Sequence, residues 1–346
     1  MIDLSTLIGR GDTFGVPFLD ANPLVSVLLL VLVSFAAAML WAPLFIGPLR
    51  HLNRTKISQA QRPTLYAMHV KKQGTPTMGG LLFLINTLAF VLLFLHPLQD
   101  YLIILLGGVL ALGLIGLTDD YLVTWSDRFG GLTAWHKFGL QLIVAVVLAV
   151  QYAVRFEGQT LNIPFAGGID LAFWMIPLIV FVLVSSINAV NLTDGLDGLA
   201  GGVSLFAFLG YLIIALAQEQ FLIAGFIGVL IGSVLAFLWF NIYPARFFMG
   251  DVGALTLGGA LGMVALFTNQ LLLLPVFGLV FVLETISVIF QVAWRRFFHR
   301  KLFSIAPFHH HFEHRGWPET KVTQRFWLVG ALSMVLGLAL YFASIG

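Results

Sequence analysis

The sequence predicts an all-α, polytopic integral membrane protein with about ten transmembrane helices, a single transmembrane domain over residues 1–346. Three observations carry that expectation. Hydrophobic residues make up 59% of the chain and charged residues only 10%, where a soluble domain carries about 25%. The apolar residues gather into long runs, and mean hydropathy is +0.97. Lys and Arg crowd into alternate gaps between those runs. The shortage of charge excludes an ordinary globular enzyme, a disordered chain and a basic nucleic-acid-binding arm, so no nucleic acid is expected as a partner. Cysteine is absent, which excludes a thiolate nucleophile and Cys-based zinc or iron–sulfur sites.

A helix needs about 20 mostly apolar residues to cross the hydrocarbon of a bilayer. Runs meeting that need lie near 24–49, 79–95, 101–118, 138–154, 171–190, 200–217, 221–240, 254–268, 271–294 and 326–344, those near 79 and 254 being short and rich in Gly. The first is too long for the core of a signal peptide and follows some twenty mixed residues, so segment 1–23, with Phe14, Pro17 and Phe18, is expected at the outer interface. Gaps after odd-numbered runs hold 16 of the 18 Lys and Arg, leaving Arg10 and Arg155 on the other side. The positive-inside rule then puts the odd gaps in the cytoplasm and both termini in the periplasm. Residues 295–325 form a cytoplasmic loop.

Five polar clusters fall on that cytoplasmic side. Asp119 and Asp120 close the third run, where two adjacent carboxylates require a divalent cation, a Lys partner or a shared proton. After the fifth run, Asn188, Asn191, Asp194 and Asp197 recur every three residues, a spacing that aligns their oxygens along one side of a helical path. Gly195 and Gly198 within that stretch let backbone amides approach a phosphate. Between the seventh and eighth runs lies Asn241, then Phe247-Phe248-Met249-Gly250-Asp251, pairing a carboxylate with a flat face for a base. The segment Pro307-Phe308-His309-His310-His311-Phe312-Glu313 suits hydrogen bonding to phosphate or proton relay better than zinc, because three consecutive side chains cannot share one direction. Lys71-Lys72-Gln73-Gly74-Thr75-Pro76-Thr77-Met78-Gly79-Gly80 enters the second run with ammonium, hydroxyl and amide donors for an anion. Carboxylates, amides, lysines and histidines on one face predict a magnesium-dependent site for a polyphosphate substrate.

These residues resemble the polyprenyl-phosphate N-acetylhexosamine-1-phosphate transferases, and within them the branch that transfers phospho-N-acetylmuramoyl-pentapeptide. The resemblance spans nearly the whole chain. It rests on Lys72 with Gly74 through Gly80, Asp119-Asp120-Tyr121, Asn188 through Gly198, Phe248 through Asp251, and Pro307 through Glu313. The Thr-Pro-Thr-Met-Gly-Gly and triple-His segments distinguish that branch from relatives using N-acetylglucosamine 1-phosphate. The resemblance implies a bacterial inner-membrane enzyme, dimeric, that joins UDP-N-acetylmuramoyl-pentapeptide to undecaprenyl phosphate, giving lipid I and UMP. It implies Mg²⁺ as cofactor with Asp251 and Asn191 as ligands, and Asp119, Asp120, Asp251 and His309 as catalytic groups. Lys72, Thr77, Asn188, Asn191, Asp194, Asp197, Asn241, Phe248, His310 and His311 would bind substrate, Phe248 by stacking on uracil. Single displacement and a phospho-Asp intermediate both remain open.

One departure stands out. The pattern expects Lys two residues after Tyr121, where this chain has Val123; a basic residue there is then not required, and Arg128 and Lys137 are the candidates to supply the charge. A rival class, a transporter, draws on Glu284 inside the ninth run, although the charged groups gather at one interface rather than at the midplane.

Overall fold

The computed structural model describes residues 22–52, 72, 74–96, 98–125, 131–156 and 160–345. Segment 1–21 and Arg128 lie outside the described residues. The apolar runs form helices: α1 (Pro23–Leu52), α2 (Gly80–Phe94), α3 (Asp100–Trp125), α4 (Ala134–Arg155), α5 (Met175–Thr193), α6 (Leu199–Ala217), α7 (Phe221–Asn241), α8 (Gly250–Phe267), α9 (Leu274–Phe277), α10 (Leu279–Phe298), α11 (Phe308–His314) and α12 (Glu319–Ile345). Eight of them are long and apolar enough to cross a membrane.

The remaining two predicted spans depart from a regular crossing. Helix α2 has only 15 residues, about 22 Å at 1.5 Å per residue, too short for the full hydrocarbon thickness. The run from 271 breaks at Gly278, where α9 and α10 meet at 81°, next to Pro275. Counting that bent pair as one crossing brings the number among the described residues to nine, with α2 a further, shorter apolar helix, beside the about ten expected. A two-stranded antiparallel hairpin, β1 (Thr160–Ile163) and β2 (Gly167–Asp170), was not expected; with four residues in each strand it is too short to register as a strand pattern.

Helices α7 and α8 are buried almost all round and form the centre. Helix α7 packs along α1, α2 and α6, and α8 along α3 and α5. In lipid the hydrophobic effect gives no drive for helices to associate, so close packing and buried hydrogen bonds must do it. A buried polar knot ties α1, α2 and α7: Asn86 Nδ2 donates to Ser233 Oγ at 2.8 Å and Ser34 Oγ at 3.0 Å, and Ser34 Oγ donates to the Val229 carbonyl at 2.7 Å. On the outside, Leu40, Leu44, Ile143, Phe181, Leu328 and Leu332 are exposed, as a lipid-facing belt requires.

The two ends of the bundle differ. One carries the hairpin and the exposed Arg155–Asp100 pair, at 2.7 Å between α4 and α3. At the other, the C-terminal ends of α3, α5 and α7 meet the N-terminal ends of α2, α4, α8 and α12. Glycine makes that meeting close. A Cβ on Gly116 of α3 would lie 2.3 Å from the Asp251 carbonyl oxygen, and one on Gly80 would lie 2.2 Å from Gly253 Cα. Without side chains at these points, α3 and α2 approach the first turn of α8 to backbone contact.

Candidate active site

Asp251 sits in the first turn of α8, where the helix N-terminus favours a negative charge. Its Oδ1 accepts from Asn191 Nδ2 at 2.7 Å, and its Oδ2 pairs with the Lys137 ammonium of α4. The same ammonium stands 3.8 Å from Asp119 Oδ2. Asp119 Oδ1 in turn accepts from the Leu132 amide at 2.7 Å, just before α4, which Thr133 caps. Asp120 accepts from the Val252 amide at 3.1 Å, docking α3 onto the start of α8. Asp119 and Asp120 are buried, so their charges need these partners. Of the two candidates for the charge missing at Val123, Lys137 is the one among the described residues, and it pairs with these carboxylates.

A second charged group lies beside the first. The Lys72 ammonium bridges Asp197 Oδ1 at 2.7 Å and Glu319 Oε1 at 2.5 Å, with 14%, 3% and 11% of the three side chains exposed. Burial alone lowers the Lys72 pKa, but the Asp197 and Glu319 carboxylates override it and hold the group above the usual lysine value. Asp197 Oδ2 accepts from the Ala245 amide at 3.0 Å. Asp194, at the end of α5, has its pKa pushed up to about 7, because burial withdraws water and Asp120 and Asp197 repel its charge, with Lys72 opposing them.

Phe247 and Phe248 divide their roles. Phe247 is buried against Phe237 and Phe240, whereas Phe248 is half-buried with the Lys72 ammonium 5.8 Å from its ring centroid. Its backbone is clamped: the Phe248 amide donates to the Pro76 carbonyl at 2.8 Å, and the Gly79 and Gly80 amides donate to the Phe248 and Met249 carbonyls at 2.8 and 2.9 Å. Thr77 lies half-buried beside Gly250.

The structure corrects several expectations. Asn188, Asn191, Asp194 and Asp197 do not form one row, because α5 ends at Thr193 and the chain turns. Asn188 donates to Gln141 Oε1 of α4 at 2.7 Å, Asn191 reaches Asp251, and Asp197 reaches Lys72. Nor are the Gly195 and Gly198 amides open to a phosphate. They donate to the Thr193 carbonyl at 2.8 Å and to Asn241 Oδ1 at 3.0 Å, and Asn241 Nδ2 fastens to the Phe247 carbonyl at 2.9 Å. The Gly79 and Gly80 amides are likewise engaged.

The three histidines diverge, as consecutive residues on a short helix must. The His309 amide donates to Glu284 Oε1 at 3.1 Å, and its ring is buried between Glu284, 3.2 Å from Nδ1, and Gly195, where a Cβ would fall 2.2 Å from Nε2. His310 meets Glu313 at 2.8 Å, and His311 Nδ1 accepts from the Ser304 amide at 3.3 Å. Burial, then Arg315 and His314, lower the His311 pKa. Glu284 is thus committed to seating His309 beside the Asp194 turn. Among the described residues, no group of three or more His, Cys, Asp or Glu side chains is placed to enclose a metal. Asp251 and Asp119, on either side of Lys137, offer carboxylate oxygens of the kind Mg²⁺ takes alongside water and phosphate, while Asn191 presents its Nδ2 to Asp251.

The chain is a polytopic helical bundle with carboxylates, lysines and a half-buried aromatic gathered at one end, and its residues 102–269 match glycosyl transferase family 4. Residues 72–84 match the phospho-N-acetylmuramoyl-pentapeptide-transferase signature 1. Curated proteins of that name are similar along most of their length. That of Caldanaerobacter subterraneus subsp. tengcongensis is 43% identical over 304 residues, 88% of this chain and 95% of the relative. That of Heliobacterium modesticaldum is 44% identical over 302 residues, 86% and 94%. That of Bacillus licheniformis is 39% identical over 319 residues, 90% and 97%. The chain belongs to the phospho-N-acetylmuramoyl-pentapeptide-transferase family and is a multi-pass protein of the bacterial inner membrane.

Proposed function

We propose that the protein transfers phospho-N-acetylmuramoyl-pentapeptide from UDP-N-acetylmuramoyl-pentapeptide to undecaprenyl phosphate, giving lipid I and UMP, at a site facing the cytoplasm. The observation that carries this reading is the meeting of Asn191 and Lys137 on the two oxygens of Asp251, with Asp119 beside the same Lys137 ammonium. Both substrates are polyanions, and their phosphates must be brought together. An oxygen of the lipid phosphate attacks the β-phosphorus of the donor, and the bond between the two donor phosphates breaks as UMP leaves. Lys72 and Lys137 offset the repulsion among the phosphates. Asp119, fixed by the Leu132 amide, orients the attacking lipid phosphate and keeps it ionised. Asp251 and Asn191 would hold Mg²⁺, whose charge stabilises the departing phosphate when bound. Phe248 offers its half-buried face to uracil, and His310 lines the site, with the buried His309 packed behind it against Gly195.

The test is transfer of labelled muramoyl-pentapeptide phosphate into polyprenyl phosphate by purified protein in detergent, with UDP-N-acetylglucosamine as rival donor. Label in the lipid from the muramoyl donor alone supports the reading, and transfer only from the N-acetylglucosamine donor refutes it. Exchange of labelled UMP into the donor without lipid phosphate would replace single displacement by a phospho-Asp route.

A further inference from the structure

Glu319 is the first residue of α12, an acid in the first turn of an apolar helix. Its Oε1 accepts twice, from Lys72 Nζ at 2.5 Å and from the Asp197 amide at 2.7 Å. Helix α12 grips the same turn two more times: Thr323 Oγ1 donates to the Asp197 carbonyl at 3.3 Å, and Trp327 Nε1 donates to the Gly198 carbonyl at 3.1 Å. Thr323 and Trp327 fix the backbone alone. Only Glu319 touches both the turn and the ammonium.

We infer that Glu319 is a positioning residue for nucleotide recognition: it holds the Lys72 ammonium over the Phe248 face and locks Asp197 in register with it. The inference rests on the nucleotide reading proposed above. A lysine side chain has several rotatable bonds and loses much rotamer entropy when fixed. With a single carboxylate partner it would swing about that contact. Two carboxylates on different elements, Asp197 before α6 and Glu319 on α12, define its position from two sides. The ring centroid of Phe248 lies 5.8 Å from that fixed charge, so a base on the ring meets a donor already in place. Removing Glu319 also leaves the buried Asp197 amide without its acceptor, which loosens the carboxylate that remains.

Glu319→Gln keeps a carbonyl acceptor for the Asp197 amide and removes the charge. It should raise KM for UDP-N-acetylmuramoyl-pentapeptide and Kd for UMP about tenfold, with KM for polyprenyl phosphate within about twofold of wild type. In Lys72→Met, where no ammonium remains to be placed, adding Glu319→Gln should cost no further nucleotide affinity. Glu319→Asp keeps the charge one methylene further back and should show a smaller loss of the same kind. Equal losses on both substrates, losses that multiply in the double variant, or a lowered melting temperature in Glu319→Asp with unchanged UMP binding would overturn the assignment. Calorimetry with UMP separates the two levels: no UMP binding by wild type refutes the nucleotide reading itself. Wild-type binding retained in full by Glu319→Gln refutes only the role of Glu319.

Discussion

Gly116→Ala tests the geometry of the site by a single methyl group. The added Cβ would lie 2.3 Å from the Asp251 carbonyl oxygen, 2.4 Å from its carbon and 2.4 Å from the Val252 nitrogen, about 1 Å inside the 3.4 Å at which ordinary contact begins. These are backbone atoms and cannot rotate away, so α3 must back off from the first turn of α8 by about that distance. Overpacking of this kind costs roughly 1 to 3 kcal/mol of stability. The same displacement draws Asp119 and Asp120 from Asp251, and a misplacement of about 1 Å in a reacting constellation costs on the order of a hundredfold in rate. Gly107→Ala on the same helix is the control, since nothing lies within 4 Å of its Cβ. With UMP release followed at saturating substrates, alongside melting in detergent, Gly116→Ala should remain folded and lose about two orders of magnitude in kcat, and Gly107→Ala should match wild type. A folded Gly116→Ala protein with wild-type kcat would refute the claim that the approach of α3 to α8 sets the site.

Other outcomes follow from the same contacts. Asp251→Ala should cut turnover by at least about a hundredfold and abolish its response to Mg²⁺, read by titrating the metal; an unchanged titration would remove Asp251 from the metal site. Phe248→Ala should weaken UMP binding by about one to two orders of magnitude, because base stacking contributes roughly 1 to 3 kcal/mol, with little change in melting temperature, since Phe247 rather than Phe248 fills the core. Asp194 holds its proton to about pH 7 in the folded protein, against 3.8 ordinarily, so the folded state binds the extra proton and its stability falls as pH rises across that window. Melting of Asp194→Asn should therefore decline less than that of wild type between pH 5 and 8. Reporter fusions after Lys72 and His311 should read cytoplasmic and those after Gln218 external.

Much of this arrangement was legible in the sequence because membrane insertion writes itself in composition. Long apolar runs locate the helices, and the bias of Lys and Arg predicts their sides, which the reporter fusions test. Residues whose chemistry is costly at a bilayer boundary, such as Asp119, Asp120 and Asp251, stood out for the same reason. What could not be read was pairing between elements distant in sequence. Lys137 was one of two candidates for the charge missing at position 123, and its choice depends on α4 lying against α3 and α5. Glu319 gave only a weak signal, an acid in the first turn of an apolar helix, and its partner Lys72 is 247 residues away. The regular spacing of Asn188 to Asp197 suggested one helical face, but the turn at Gly195 through Gly198, held by Asn241 and Trp327, points those side chains at separate partners. The bend at Gly278 had its signal in Pro275 and Gly278, within a run otherwise apolar enough to read as straight.

The central claim is that one cytoplasmic constellation around Asp251 joins a nucleotide-bound sugar phosphate to a lipid phosphate with the help of a divalent cation. The most direct measurement is UMP release from UDP-N-acetylmuramoyl-pentapeptide by purified protein in detergent, with polyprenyl phosphate and Mg²⁺ each present or withheld. The account predicts sustained release, with an equal amount of lipid-linked product, only when both are present. Sustained release without lipid phosphate, or full release with the cation chelated, would contradict it.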